Sequence, residues 1–200
     1  MNVRKNFLLL AASVLCFVPQ VRAQDAPKVE LFGGYSYNLF DDSRFSTKRF
    51  SLNGWNASLT WNANHWISFV ADVSGHYSSV DTTLIIVPNP PIQTQHDRRQ
   101  HAFLFGPRLS YRKNPRFVPY THVLLGAVRF TEDLNTTLLP ASKNTGFGLA
   151  LGGGLDLRLS ERFALRAAQV DYQFSHQSLG QNRHNFRYSG GIVFRLGKRQ

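Results

Sequence analysis

The sequence predicts an all-β protein, an eight-stranded antiparallel up-and-down transmembrane β-barrel preceded by a cleavable signal peptide. Three observations lead to this prediction: stretches with a side-chain period of two, an alternation of long and short connections, and a charged fraction of only 18%. Successive side chains of a strand point to opposite faces, so a period of two predicts strands. Because barrel strands alternate in hydropathy, a membrane barrel needs no long apolar run.

The alternation is clearest in residues 145–159, TGFGLALGGGLDLRL. One face carries Phe147, Leu149 and Leu151 and continues as leucine, while the other is glycine and alanine and ends with Asp156 and Arg158. Small residues indicate a crowded inner wall, and the length suits a strand that crosses a bilayer at a tilt. We therefore predict that the leucine face contacts lipid and the glycine face lines the lumen. Other side chains predicted to face lipid are Trp55, Leu59, Phe103 and Ile192.

The first 23 residues have the pattern of a secretory signal peptide. A basic pair at residues 4–5 precedes an apolar segment, residues 7–18, and a small-x-small cleavage site that ends at Ala23. The single cysteine, Cys16, lies in the apolar segment, and the residue before it is too large for a lipoprotein site. We predict an exported mature chain, residues 24–200, without a disulfide.

The mature chain divides into eight segments of alternating polarity. The predicted strands are residues 28–38, 55–62, 67–77, 100–111, 117–130, 145–159, 163–174 and 185–196. Long connections (residues 39–50, 78–98, 131–143 and 175–184) alternate with short turns (residues 62–65, 113–116 and 160–162). Outer-membrane barrels have this order, with turns at the periplasmic end and loops outside.

Two of these strands do not alternate cleanly. The fifth strand is apolar on both faces around residues 123–128, and we favour His122 and Gly126 on the inner face. In the seventh strand Arg166 is out of phase with Asp171, which predicts a β-bulge between them.

Three segments carry a family resemblance: the opening VELFGGYSY, the GGGLDLRLS hairpin into FALRAAQVDYQF, and the closing FRYSGGIVFRLG. They resemble the small OmpA-like outer-membrane β-barrels of Gram-negative bacteria, over the barrel domain only. The closing segment is similar to the signal read by the outer-membrane insertion machinery, although this chain continues to Gln200 instead of ending on an aromatic residue. The resemblance implies a bacterial outer-membrane protein, and we expect a monomer in contact with outer-membrane lipid and lipopolysaccharide.

The net charge of +11 raises the question of a nucleic-acid partner. The predicted strands distribute the basic residues among the loops, the lumen and the periplasmic rim, and no exposed basic stripe with interleaved aromatic residues results. We predict no nucleic-acid partner, and a rim of Lys and Arg that suits anionic lipid headgroups.

The lumen is predicted to contain a structural ion network, because a buried charge persists only when it is paired and hydrogen-bonded. Its predicted members are Glu30, Asp72, Arg108, Asp156, Arg158, Asp171, Arg187 and Arg195. Arg129 and Arg166 are placed on the same face, with ambiguous phase. The interior of an eight-stranded barrel is just filled by side chains, which favours a structural role over a proton path or a gate.

Two other motifs offer chemistry. Residues 176–178, His-Gln-Ser, resemble the His-x-Ser of outer-membrane lipid A deacylases, in which a downstream acid completes a catalytic triad. No Asp or Glu follows Asp171 in this chain, so that acid is missing. A metal at His96, Asp97 and His101 is a weaker alternative, because the spacing is unspecific. We predict no catalytic residue, no metal and no cofactor.

The combined prediction is an integral outer-membrane β-barrel protein without enzymatic activity, in a structural or surface-interaction role. Its ion-paired lumen is plugged, and four external loops are its variable part. An apolar patch, residues 84–87, is either a contact surface or an extension of strands beyond the membrane. The alternatives to this function are a lipid-modifying enzyme similar to the lipid A deacylases and a small channel.

Overall fold

The computed structural model describes residues 27–41, 50–84, 92–114, 116–133, 141–177 and 182–198. The predicted signal peptide, most of the apolar patch and Ser178 lie outside these residues. The described residues form eight antiparallel strands in one closed barrel, in chain order. They are β1 Pro27–Asp41, β2 Phe50–Asn62, β3 Ile67–Leu84, β4 Ile92–Ser110, β5 Phe117–Asp133, β6 Ser142–Arg158, β7 Phe163–Gln177 and β8 Asn182–Lys198.

The first and last strands close the barrel. β1 pairs with β8 from Pro27↔Lys198 to Asp41↔His184, so neither strand leaves an unpaired edge in the wall. Closure is a requirement in hydrocarbon, where unpaired backbone groups are costly. The predicted fold class is confirmed. No helix of the described residues is long and apolar enough to cross a membrane.

The longest hairpin differs from the prediction. The ladder between β3 and β4 continues from Ser78↔Arg98 to Leu84↔Ile92, through a segment that was predicted to be a loop. Outside the membrane both faces of a strand meet water, so the alternation that identifies a strand disappears while the backbone ladder persists. The interpretation of the apolar patch as a strand extension is correct for Leu84, and residues 85–87 lie outside the described residues.

The pairing register climbs around the barrel. From Leu31, cross-strand partners followed around the wall return to β1 at Asp41, by way of Leu59, Ala71, Phe105, Leu125, Leu149, Phe174 and His184. This stagger of roughly ten residues per circuit is what tilts the strands of a small barrel. Cross-strand partners in one such row therefore lie at different heights along the barrel axis. The height rises towards the outer end of the barrel from β1 to β8.

The outward face is apolar, as predicted. Leu151 is 53% exposed and Phe147 52% exposed to solvent in the isolated chain, where no lipid covers them. Four further side chains predicted to face lipid are also exposed, Trp55, Leu59, Phe103 and Ile192, while Leu149 is half-buried. Exposed apolar side chains on every strand form the belt that a bilayer covers.

The inward face carries buried polar side chains on every strand and clusters of buried apolar side chains among them. Strands β2–β6 contribute a cluster of buried apolar side chains: Leu52, Val70, Ala102, Leu104, Leu124, Val128, Phe130 and Ala150. This cluster explains why the sequence of β5 is apolar on both faces, since one face meets lipid and the other meets the cluster. His122 is buried and Gly126 is half-buried on the inner side, as predicted. Arg129, placed in the lumen by the sequence analysis, is instead exposed on the outer face.

A β-bulge interrupts β7 where the sequence predicted one. Leu155 pairs with Ala168 and Asp156 pairs with Arg166, which leaves Ala167 as an extra residue. One extra residue reverses the alternation, so Arg166 before the bulge and Asp171 after it both point inward.

Substitution of Leu151 by Arg should reduce the free energy of folding into bilayers by about 2–4 kcal/mol, because a guanidinium near mid-depth would have to leave water. Leu159 follows the end of β6 and is 65% exposed. Leu159→Arg is therefore the matched control, with an expected cost of about 0–1 kcal/mol near the interface. Urea titrations in lipid vesicles measure both, and equal costs would show that the outward face does not contact lipid as described.

Candidate functional site

The interior is organised around Arg187 of β8, whose side chain is fully buried. Its Nη2 and Nε atoms donate to Asp171 Oδ2 at 2.6 and 2.9 Å, and its Nη1 donates to Asp72 Oδ1 at 2.7 Å. The second Asp72 oxygen accepts a hydrogen bond from Asn56 Nδ2 at 2.9 Å. These short bonds between ionised groups are the strong kind, and they tie β8 to strands on both sides of the lumen.

Asp171 receives two more side chains. His122 Nε2 lies 2.7 Å from Asp171 Oδ1, and Gln169 Nε2 donates to Oδ2 at 2.7 Å. Gln169 Oε1 in turn accepts bonds from Arg166 Nη1 and from the Tyr120 hydroxyl, each at 2.9 Å. Gln169 thus connects this group of charges to a second group nearer the periplasmic end.

The second group contains two carboxylates and three arginines. Asp156 accepts bonds from Arg108 Nη2 at 2.7 Å and from Arg166 Nε at 2.8 Å. Glu30 lies 3.6 Å from Arg108 Nη1 and 3.3 Å from Arg112 Nη2. Arg112 belongs to the turn after β4, where burial lowers the pKa of its guanidinium and the charge of Glu30 opposes that shift.

Aromatic rings cover the flat faces of two of these arginines. The guanidinium carbon of Arg108 is 3.6 Å from the centre of the Tyr120 ring, and that of Arg166 is 4.1 Å from the centre of the Phe32 ring. Stacking of this kind stabilises a guanidinium whose edges already bind carboxylates. The contacts also fix the rings across the lumen.

The charges of the network balance. Among the described residues, four carboxylates (Glu30, Asp72, Asp156 and Asp171) meet four arginines (Arg108, Arg112, Arg166 and Arg187). Two predicted members, Arg158 and Arg195, are not in this network. They are half-buried and line a small recess at the periplasmic end, and within the described part of the chain neither has an acidic partner at salt-bridge distance.

The sequence-based prediction missed Arg112 because this residue lies between the predicted fourth strand, which ends at residue 111, and the predicted turn at residues 113–116. Its position nevertheless continues the inward spacing of Arg108 and Ser110, and all three side chains are buried. Gln169 and Tyr120 were also missed as members. Gln169 shares the polar face of β7 with Asp171, so the alternation contained a signal for it, whereas the apolar sequence of β5 contained none for Tyr120.

The two motifs with other chemistry are not assembled into sites within the described residues. His176 is exposed, and its Nδ1 lies 2.7 Å from Asn182 Oδ1, while Ser178 lies outside the described residues. His96 and His101 are five positions apart on β4 and therefore point to opposite faces. His101 lies 3.1 Å from the Tyr77 hydroxyl on the outer face.

A glycine makes room for Asp171. Gly152 pairs with Asp171 across β6 and β7, and a Cβ added to Gly152 would lie 2.1 Å from Asp171 Oδ1 and 2.4 Å from the Val170 carbonyl oxygen. Gly152→Ala should therefore destabilise the barrel by about 1–3 kcal/mol. Gly33→Ala is the matched control with no atom within 4 Å of the added Cβ, and it should leave the unfolding midpoint unchanged or raised. A Gly152→Ala midpoint equal to that of wild type would contradict this account of the inner wall.

Asp156→Asn should destabilise the barrel by about 3–5 kcal/mol, because it leaves Arg108 and Arg166 without their shared carboxylate. Asp81→Asn makes the same chemical change at an exposed residue of β3 and should cost less than about 1 kcal/mol. Denaturant unfolding of the two variants in one detergent gives the comparison. Similar losses would mean that the ion pairs of Asp156 contribute no more than a surface charge.

Comparison with solved structures finds barrels of the same kind at low sequence identity. Ail of Yersinia pestis, crystallised with the heparin analogue sucrose octasulfate, is 13% identical, with a TM-score of 0.57 over 84% of this chain and 99% of that one. Neisserial surface protein A is 12% identical, with a TM-score of 0.59 over 87% and 100%. OprG of Pseudomonas aeruginosa is 12% identical, with a TM-score of 0.54 over 89% and 100%. Comparison with curated proteins gives no match.

A family model decides the assignment. The model of the outer membrane protein beta-barrel domain matches residues 7–195, which is most of the chain. The closed eight-stranded barrel, its apolar belt and its short turns at one end agree with that match. The chain therefore belongs to the family of outer membrane protein beta-barrel domains and is located in the bacterial outer membrane.

Proposed function

We propose that the protein is a non-enzymatic, monomeric barrel with an ion-impermeable lumen, and that its role in the envelope is structural or in surface interaction. The observation that carries the proposal is the continuous chain of ion pairs and charge-assisted hydrogen bonds from Arg112 at the periplasmic end to Asn56. A conducting pore needs charged or polar groups that face water. In this barrel the four carboxylates and four arginines of the network are instead paired with one another.

The rest of the interior supports the same proposal. Beyond the charged network, Asn38 Nδ2 donates to Gln100 Oε1 at 3.0 Å and to Gln173 Oε1 at 3.3 Å, and all three residues are buried. The apolar cluster on β2–β6 contributes further buried side chains to the interior. Side chains of this size are enough to fill an eight-stranded barrel.

The outer end supports a role in surface interaction. The β3–β4 hairpin extends well beyond the apolar belt, and its two strands remain paired as far as Leu84↔Ile92. Loops on a rigid barrel are where binding functions are usually placed. Ail, which shares this fold, binds a sulfated sugar analogue in its crystal structure. We propose that the outer end of this barrel likewise contacts anionic molecules of the cell surface, lipopolysaccharide among them.

The purified protein should show no steady single-channel conductance in planar bilayers, because a lumen filled by paired charges would contain no continuous water path. Asp156→Asn should lower stability more than it raises conductance. A wild-type porin from the same preparation controls for insertion. A large, steady wild-type conductance would replace this proposal with the small channel.

The enzyme alternative has its own test. Mass analysis of lipid A from cells with and without the protein should give identical acylation patterns, and a catalytically dead deacylase supplies the baseline. Loss of an acyl chain in cells with the protein, but not in cells with a His176 variant, would instead support the hypothesis of a lipid-modifying enzyme.

A further inference from the structure

Arg129 is an unusual residue on the lipid-facing side of the barrel. It is exposed on the outer face of β5, two residues beyond the equally outward Ala127. Its cross-strand partners are His101 on β4 and Thr145 on β6. A cation on this face is stable only where the hydrocarbon ends and headgroups begin.

Two more cations lie on the neighbouring row of the same face. Arg99 pairs with Thr131, and Thr131 pairs with Lys143, so these side chains stand side by side across β4, β5 and β6. Arg99 and Lys143 are exposed. We call Arg99, Arg129 and Lys143 the outer basic patch.

The position of the patch matches the outer edge of the apolar belt. Phe147, two residues nearer the membrane centre than Thr145 on β6, is 52% exposed. Tyr77, the partner of Arg99 on β3, is 43% exposed. Aromatic residues of this kind mark the interface between hydrocarbon and headgroups. Because the long connections lie at this end of the barrel, the patch faces the outer leaflet.

The charges of the patch are largely uncompensated within the described residues. Arg129 and Lys143 have no acidic side chain at salt-bridge distance there, and Arg99 lies 3.7 Å from Asp97. Asp97 pairs with Asp133 one outward step farther from the membrane, and Asp97 also accepts a bond from Ser79 at 2.6 Å. The cations therefore border the hydrocarbon while the acids stand farther out, which is the order expected for binding a phosphate at the headgroup level.

We propose that the outer basic patch binds the phosphate groups of lipid A, the membrane anchor of lipopolysaccharide, in the outer leaflet. Two guanidinium groups and an ammonium on three adjacent strands can surround a phosphate, and arginine suits its geometry. The inference deepens the proposed surface role and rests on it only for the choice of lipopolysaccharide as the neighbouring lipid. It does not depend on whether the lumen conducts.

The test compares lipid A binding by matched variants of the full barrel in detergent, measured by native mass spectrometry. Arg129→Gln/Lys143→Gln removes two charges from the patch, and Arg116→Gln/Arg162→Gln removes two exposed charges from the periplasmic turns. At about 1 kcal/mol for each Lys or Arg near an anionic surface, the patch variant should bind bisphosphorylated lipid A about thirtyfold more weakly. The turn variant should bind as wild type does.

Three ligands identify the chemistry. The wild-type protein should bind lipid A without phosphates weakly, with about the affinity that the patch variant has for bisphosphorylated lipid A. Phosphatidylglycerol should compete poorly with bisphosphorylated lipid A for the wild-type protein. Arg129→Lys, which keeps the charge, should retain most of the binding, and heat-modifiable migration on gels confirms that each variant is folded.

Equal losses in the patch and turn variants, or equal binding of lipid A with and without phosphates, would overturn the proposal. Equally strong binding of phosphatidylglycerol would assign the patch to phospholipid instead. Steady conductance with lipid A binding intact would reject the plugged-lumen proposal and leave this inference standing.

Discussion

A charge buried deep inside this barrel needs a partner, because the lumen is narrow and surrounded by hydrocarbon. Arg187 shows the constraint most plainly: it is fully buried, and its guanidinium bonds two aspartates that come from different strands. Breaking such a pair leaves a buried charge without a counter-ion, which costs far more than the pair contributes over an apolar substitute. The interior is therefore specified as a set, in which the position of every acid depends on that of an arginine.

Local backbone features make this arrangement possible. The bulge at Ala167 turns Arg166 and Asp171 to the same side of β7, where a regular strand would have placed one of them in lipid. Gly152 leaves the space that Asp171 occupies. The bulge in β7 and the glycines in β6 are thus consequences of placing many charged side chains in a narrow interior.

The sequence predicted the barrel well because a membrane requires apolar side chains on the outer face of each strand, so that apolar and polar residues alternate along it. It predicted the bulge for the same reason, since Arg166 was visibly out of phase with Asp171. The direction of side chains could not be predicted where the two faces of a strand meet similar surroundings, because the sequence then does not alternate. β5 meets lipid on one face and an apolar cluster on the other, so the direction of Arg129 was not encoded in its neighbours. Beyond the membrane the β3–β4 ladder is polar on both faces. Arg112 continues the inward spacing of β4 but lies just past the predicted end of that strand.

The pairing of the first strand with the last has a consequence for assembly. The contact Pro27↔Lys198 joins the first residue of β1 to the last residue of β8, so the loop that it closes contains the whole described barrel. Contacts of such long range make folding slow. Until β8 docks on β1, both strands present open hydrogen-bonding edges, the template for pairing with another chain. The seam that leaves the finished wall without an edge therefore makes the incomplete barrel vulnerable to aggregation, and a cell must shield this intermediate until the circle closes.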